Sequence, residues 1–496
     1  MARVCDNLQE FVAAIEAIGE LVRVREPLSV DLEIAEVADR AMKMPGGGPA
    51  LLFEQPVLRD GSVSPIPVAI NLFGSWRRMA LALGVDDVRE HARRLEALLT
   101  PAIPDSLWGK LQLLPRLAEL ARVPPHLVRG QPPCQEVVLE GDEVDLTRLP
   151  ILKTWPGDAG PFITLGTTVT RDPDGGAQNF GLYRLQLLDR RSLALHWQRH
   201  KGGAAHYHAW KARGAKRMPV AVALGGDPTT MYTPSAPLPP GIDEALFGGF
   251  LRRKPVALAR ARTADLRVPA EAEIVLEGYV DLDEELVVEG PFGDHTGFYT
   301  PPDRFPRLHV TTLTHRHRPL YPATLVGRPP VEDVYLGGAT ERIFLPLIRL
   351  NLPEIVDLHM PPEGVFHNLV FVSIRKAYPG HAFKVMHGLW GLGLMALAKV
   401  IVVVDDGIDV QNPFEAWWYA LANFDPVRDL LLARGPIDDL DHAAIHPAFG
   451  GKMGLDGTRK WPEEGATRPW PDVIAMDPAI KAKIDALWPR LGIERR

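Results

Sequence analysis

QNFGLYRLQLLDRRSLALHWQRHKGG, residues 178 to 203, holds two apolar runs, FGLYRLQLL and SLALHW, parted by Asp189, Arg190 and Arg191. Short runs rich in Val, Ile, Leu and Thr, bounded by turn residues, read as β-strands. The same texture continues on both sides in QEVVLE, FITLGTTVT, PVAVALG, AEIVLEGYV and RLHVTTLTH. So many short strands between about 136 and 320 argue for a β-barrel or sandwich. Helices are inserted at His206–Ala212 and around Asp243–Leu251. If 180–188 is one strand, Tyr183 and Arg184 face opposite ways. An arginine on the interior face must then be paired, because a lone buried charge is very costly.

Outside this region the chain alternates helix and strand. Leu8, Phe11, Val12, Ile15 and Ile18 recur at helical spacing behind a capping Asp6. A second helix follows Ser29. Strands follow at ALLFE (50–54) and PIPVAINLF (65–73), then two helices to about residue 100. Two Pro-Pro pairs in RVPPHLVRGQPPCQE (122–136) mark a boundary. Beyond residue 320, strands in VFVSIRK and KVIVVVDD alternate with helices, 445–465 reads as long and irregular, and an amphipathic helix, Asp477–Leu491, closes the chain. The divisions are 1–122, an N-terminal α/β domain; 123–318, the strand-rich domain; 319–475, a C-terminal α/β domain; and 476–496, the closing helix.

Composition narrows the function. At 496 residues the chain needs several cores; 46% hydrophobic and 24% charged residues make it globular. A net charge of −7 gives no global reason to bind nucleic acid. Two cysteines, Cys5 and Cys134, can form neither a disulfide framework nor a four-thiolate zinc site, and a reducing, cytoplasmic compartment fits them. The N-terminal segment carries Asp6, Glu10 and Glu16 where a signal peptide needs an apolar run. The most apolar stretch, 388–404, is broken by glycines and Lys399 and reads as a helix end followed by a buried strand, Val400–Val404, so any membrane contact is peripheral.

The segment EGPFGDHTGFY (289–299) puts Glu289 and Asp294 five residues apart around Gly290, Pro291, Phe292 and Gly293. No regular helix fits it. It is either a surface turn with a solvated acid pair or a shaped loop carrying chemistry. The string Gly391-Leu-Gly-Leu-Met-Ala396 follows no strand, so it reads as small residues packed in a helix and not as a dinucleotide motif. No G-x-S-x-G elbow, P-loop or HExxH is present. His206-Tyr-His208 and His315-Arg-His317 lack a matched third ligand. Asn179 and Glu244 offer oxygens suited to a hard cation such as magnesium or manganese. Together with Arg184 and the two acids they outline a proton-handling site. Expelling CO2 from an arene also needs an electron sink that side chains lack and a cofactor supplies.

In the segments NFGLYRLQ, HWQRHKGGA, ALGGDP, AEIVLEGY, EGPFGDHTGFY, GRPPVED, PPEG, KAYPGHA and KMGLDGTRKWP, taken in order over the whole length, the chain resembles the UbiD family of prenylated-flavin-dependent decarboxylases. DHTG and KMGLDGTRKWP are nearest the ubiquinone-pathway branch, which decarboxylates 4-hydroxy-3-polyprenylbenzoate. The resemblance implies a central split β-barrel similar to flavin reductases, a C-terminal α/β assembly domain, and a homo-oligomer built from dimers, up to a hexamer. It implies prenylated FMN made by a separate flavin prenyltransferase, with manganese and potassium as candidate metals. Asn179 and Glu244 match the metal ligands. Of His196 and His200, the second is favoured as a further ligand. Leu182, Tyr183, Arg184, His196, Trp197, Gln198, Lys201 and Gly202 match flavin-lining segments. Arg184, Glu289 and Asp294 match the catalytic network, with Asp294 as proton donor. A donor must be neutral when needed, so an apolar pocket is expected to raise the Asp294 pKa while Arg184 lowers that of Glu289. A polyprenyl substrate implies contact with the inner face of a membrane. Another aromatic, heteroaromatic or acrylic acid is the alternative within the same fold. A flavin reductase would need neither Asp294 nor Glu244, and a non-catalytic assembly protein would not need the Arg184 network.

Overall fold

The computed structural model describes residues 4–99, 123–176, 178–198, 201–238, 242–491 and 493. Helix α1 (Leu8–Ala17) buries Leu8, Phe11, Val12 and Ile15, the residues its spacing sets aside for a core. Its cap is Asn7, which accepts from the Glu10 amide, and not Asp6. Asp6 is instead drawn into ion pairs with Arg252 and Lys254. Then come β1 (Leu21–Val24), α2 (Glu33–Met42), β2 (Ala50–Phe53), β3 (Val68–Ile70), α3 (Trp76–Ala82) and α4 (Arg89–Leu99).

The central region supplies β4 (Val137–Glu140), β5 (Phe162–Ile163), β6 (Gly166–Arg171), β7 (Gln178–Leu182), β8 (Leu185–Asp189), β9 (Ser192–Leu195), α5 (Gly202–Ala212), β10 (Arg217–Leu224), α6 (Glu244–Arg252), β11 (Ile274–Asp281), β12 (Val287–Glu289), β13 (Phe292–Gly293), β14 (Tyr299–Thr300) and β15 (Arg307–His315). Eight of these strands run in one antiparallel sheet, in the order β7-β6-β10-β11-β15-β9-β8-β5, with β4 added beside β15. Consecutive strands β7 and β8 thus lie near opposite ends of the path, yet only Tyr183 and Arg184 join them. Three Cα steps span roughly 11 Å at most. The sheet must curl until its ends nearly meet, which is the split-barrel architecture expected from the strand texture. The expectation of one continuous strand over 180–188 is corrected by the same fact, since pairing breaks at Tyr183–Arg184 to cross the seam. Both faces of the sheet are buried. Along β10, Val220, Val222 and Leu224 enter one core while Ala221 and Ala223 enter another.

After the barrel, β16 (Tyr321–Ala323) pairs parallel with β3, so the chain rejoins its first sheet beyond residue 318. The C-terminal region follows with α7 (Asp333–Asn351), β17 (Ile355–His359), β18 (Leu369–Ile374), α8 (His381–Trp390), β19 (Val400–Asp405), α9 (Pro413–Asn423), β20 (Leu430–Pro436), β21 (Phe449–Asp456) and α10 (Pro478–Leu487). Its sheet runs β17-β18-β19-β21-β20, and β18, β19 and β21 are parallel. The apolar stretch at 388–404 is the end of α8, a 3₁₀ turn and β19, as its pattern implies. The reading of 445–465 as irregular is corrected, because eight of its residues form β21. Two of the glycines that hide this strand are required by packing: a Cβ on Gly454 would fall 2.4 Å from the Met386 sulfur and one on Gly450 2.6 Å from the Ile437 side chain. Helix α10 buries none of its residues. No described helix is long and apolar enough to cross a membrane.

Candidate active site

The seam of the barrel places Arg184, and the segment 289–299 meets it there. That segment is a bent hairpin, β12 then β13 then β14, with β13 paired to β14. Gly290, at φ +87°, turns the chain between the two acids. A Cβ on Gly293 would fall 2.3 Å from the Trp155 ring, so only glycine lets the hairpin lie against it. Asp158 fixes the bend: one oxygen accepts from the Gly293 amide at 2.7 Å, the other from Trp155 N and Thr154. Gln186 accepts from Gly290 N at 2.8 Å.

Both acids converge on one guanidinium. Arg184 Nε donates to Glu289 Oε1 at 2.7 Å and Nη2 to Oε2 at 3.0 Å, and Nη1 donates to Asp294 Oδ2. The Thr300 hydroxyl donates to the same Asp294 oxygen at 3.0 Å. The guanidinium stacks 4.6 Å from the Phe292 ring centre. Glu289 is fully buried, and His196 Nδ1 stands 3.1 Å from its Oε2. The reading of the pair as a solvated surface turn is therefore excluded.

Burial pushes the Glu289 carboxyl up, but its bonds to His196 and Arg184 outweigh that and hold it below the usual range. Asp294 goes the same way. Burial raises it, but the bond and charge of His295 and the charge of Arg184 pull it well below an ordinary aspartate. The expectation of an apolar pocket that keeps Asp294 neutral is thus corrected, since its neighbours are cations. His295, its partner in that bond, shifts the opposite way. Burial disfavours its charge, yet Asp294 beside it, with Asp333 and Asp438 farther off, raises its pKa.

The proposed cofactor side of the site lies at the other edge of the Tyr183–Arg184 link. The Tyr183 hydroxyl accepts from Gly203 N at 3.1 Å, at the start of α5. That helix begins at Gly202, four residues before the start expected at His206. No side chain caps it; Lys201 holds the cap position, exposed at the surface, and desolvation by the groups around it lowers its pKa. A Cβ on Gly202 would fall 2.1 Å from Asn179 Oδ1, and one on Gly203 2.7 Å from Trp197 Nε1. Among the described residues, Asn179 Nδ2 and Trp197 Nε1 are buried donors without a hydrogen-bond partner. An uncapped helix start with a lysine and orphaned donors suits a phosphate. Glu244 Oε2 accepts from Phe180 N at 3.0 Å, next to Asn179. Burial pushes Glu244 up to about 7, and no basic side chain among the described residues pairs with it. A divalent cation would supply the missing positive charge, so the donor set fits the expected group. His196 is held by Glu289, and His200 lies outside the described residues. Among the described residues no cluster of three His, Cys, Asp or Glu side chains forms a metal site.

Sequence reasoning missed Thr300, Asp158, Gln186, and the neighbours brought in from the C-terminal region. His367 stands 5.6 Å from His295, ring centre to ring centre, and His442 stands 4.4 Å from Phe298. No local motif announces them, because they come from loops more than seventy residues downstream.

Three family profiles match in chain order: the 3-octaprenyl-4-hydroxybenzoate carboxy-lyase N-terminal domain at 12–98, its Rift-related domain at 126–329 and its C-terminal domain at 334–457. The chain belongs to the UbiD family. An uncharacterised protein of Aquifex aeolicus is 54% identical over 490 residues, 98% of this chain and 99% of that one. The vanillic acid decarboxylase of Sedimentibacter hydroxybenzoicus, in closed form, overlays with a TM-score of 0.85 at 26% identity, covering 99% of this chain and 100% of that one. Its open form gives 0.78 at 25% identity, with the same coverage. The UbiD-class enzyme HmfF of Pelotomaculum thermopropionicum, in complex with FMN, gives 0.78 at 28% identity over 96% of this chain and 98% of that one. This UbiD chain is a decarboxylase.

Proposed function

We propose that the chain removes CO2 from an aromatic carboxylic acid using prenylated FMN and a divalent metal. The observation that carries this reading is the convergence of Glu289 and Asp294 on Arg184 at the barrel seam. In the finer reading, the acid is 4-hydroxy-3-polyprenylbenzoate and the product 2-polyprenylphenol, a step of ubiquinone biosynthesis. The carboxy-lyase named by the matched profiles and the DHTG sequence support it. A smaller hydroxylated benzoate is the second reading, favoured by the overlay on vanillic acid decarboxylase.

Lys201, the start of α5 and the Trp197 indole N–H would hold the cofactor phosphate, with Tyr183 behind them. Asn179 and Glu244, joined by His200, would hold manganese. When bound, the flavin supplies the electron sink for the carbon left as CO2 departs. Arg184 fixes both acids, Glu289 keeps Arg184 charged and in place, and Asp294 passes the proton to the reacting carbon. A flavin prenyltransferase supplies the cofactor. The chain works as a homo-oligomer, and a lipid substrate brings it to the membrane surface.

The test is a product assay. The protein is loaded with prenylated FMN and manganese and given 4-hydroxy-3-prenylbenzoate alongside vanillate, protocatechuate and an acrylic acid. Formation of 2-prenylphenol by mass spectrometry supports the finer reading. Turnover of another acid alone replaces the substrate, and no turnover by a fully loaded protein overturns the reading.

A further inference from the structure

Asp294 divides its oxygens. Oδ2 serves Arg184 and Thr300, while among the described residues Oδ1 accepts only from His295, whose backbone N–H lies 2.7 Å away and whose Nδ1 lies 2.9 Å away. The imidazole is nearly buried, with 22% of its side chain exposed. The charged groups that face it come from four places. Asp294 adjoins it in sequence. Arg184 lies across Asp294. Asp333 comes from the start of α7, and Asp438 from the loop after β20. His367, from the loop before β18, lies against its ring. Asp294 and Asp438 against Arg184 favour an imidazolium at the centre, while burial pushes Asp333 itself up to about 7 and the charge of His295 pulls it back. His367 adds no opposing charge: burial holds its pKa down to about 4. Asp438 lies 3.9 Å from its Nε2, and Lys399 and Asp441 surround it. Asp333 Oδ1 and His367 Nε2 are buried without a hydrogen-bond partner among the described residues.

We propose that His295 stores the proton that Asp294 delivers, acting through Asp294 as a positioning residue. This rests on the decarboxylase reading of the site. The bond between the ring carbon and the carboxyl carbon breaks, CO2 leaves, and the electron pair stays with the ring side. The Nδ1 proton of His295 moves to Asp294. Asp294, now a carboxylic acid, gives a proton to the ring carbon, whose retained pair forms the new C–H bond. Asp294 ends as a carboxylate and His295 as a neutral imidazole, which regains one proton from water. One proton is consumed per CO2 released. The transfer to Asp294 is favoured only when an anionic substrate sits beside it, because a neighbouring negative charge raises a carboxyl pKa and a closed, dry site favours the neutral pair over the charged one. An ionised resting state and a neutral working state of Asp294 are thereby reconciled.

Two measurements test this. In the loaded enzyme, His295→Asn keeps a donor near Asp294 but cannot hold a proton. kcat should fall about 100-fold with KM little changed. The wild-type loss of kcat at high pH, as His295 deprotonates, should disappear. His295→Gln serves as a second variant if the first folds poorly. The other measurement needs no activity: a double-mutant cycle on melting temperature with Asp294→Asn and His295→Asn. The coupling should be present at pH 6 and lost by pH 9. Wild-type kcat with an unchanged basic limb in His295→Asn overturns the proposal while leaving the decarboxylase intact. A coupling independent of pH overturns it as well. If the loaded wild type decarboxylates nothing, the decarboxylase reading fails, and the cycle still reports whether His295 holds the proton.

Discussion

Arg184 grips Glu289 through two parallel hydrogen bonds, 2.7 and 3.0 Å, across 105 residues of chain. With Glu289 fully buried, neither charge can fall back on water. Removing one partner of such a pair costs about 3–5 kcal/mol, mostly by stranding the other. Arg184→Met should therefore lower the unfolding free energy from urea titration by about 3–5 kcal/mol, shifting the midpoint down, as well as stop turnover. Glu289→Gln keeps shape and one acceptor and should cost less. Equal midpoints for wild type and Arg184→Met would show that the pair carries no stability.

Asp294→Asn should retain cofactor and lose turnover by a factor of about 10²–10⁴, the range for a single acid–base group. The cofactor spectrum of the purified variant and a product assay read the two halves separately. Substantial turnover in Asp294→Asn would remove Asp294 from the proton path.

The two acids also set the response to acid. Both folded pKa values are depressed, so their stabilisation is complete above the unfolded values near 4 and is lost as pH falls below them. The gap in urea midpoint between wild type and Asp294→Asn should hold from pH 6 to 5 and shrink progressively as pH falls below 4. A gap that grows in acid would reverse the sign of the Asp294 shift.

Much of this was legible in the chain. Alternating short strands gave the barrel, and Gly-Pro-Phe-Gly gave the bend between the acids. The pairing of Arg184 followed from the cost of burying it alone. What could not be read was the break at Tyr183–Arg184. Local pattern favours one strand there, and only closure of a sheet over distant partners forbids it. The charge state of Asp294 was hidden for a similar reason. Its neighbour His295 is plain in the sequence, but Asp333 and Asp438, which help raise the His295 pKa, arrive from the C-terminal region. Strand β21 was masked by its glycines, of which Gly454 admits Met386 and Gly450 admits Ile437.

Glu244 and Asn179 should act as one unit with the start of α5. Glu244→Ala or Asn179→Ala should lose metal and flavin together, measured by elemental analysis and by absorbance of the purified protein. Gly203→Ala tests the phosphate side alone. Its methyl would fall 2.7 Å from Trp197 Nε1 and push the indole off its place. It should weaken flavin retention with no ligand of the metal altered. Full flavin content in all three variants would move the cofactor elsewhere.

Helix α9 presents Phe414, Trp418 and Leu421 at 82%, 49% and 61% exposure, beside Trp417, Pro361 and Leu369 in an apolar groove. Exposed apolar surface of this kind is costly on a free monomer and marks an association face. In the homo-oligomer reading, this groove is covered by a second copy. Phe414→Asp with Leu421→Asp places two charges in the groove without touching the barrel, whose seam holds the candidate site. The molar mass from light scattering should fall toward that of one chain, 54.7 kDa, while flavin content is kept. An unchanged mass would mean that copies meet through another face, with the exposed side of α10 as the next surface to alter.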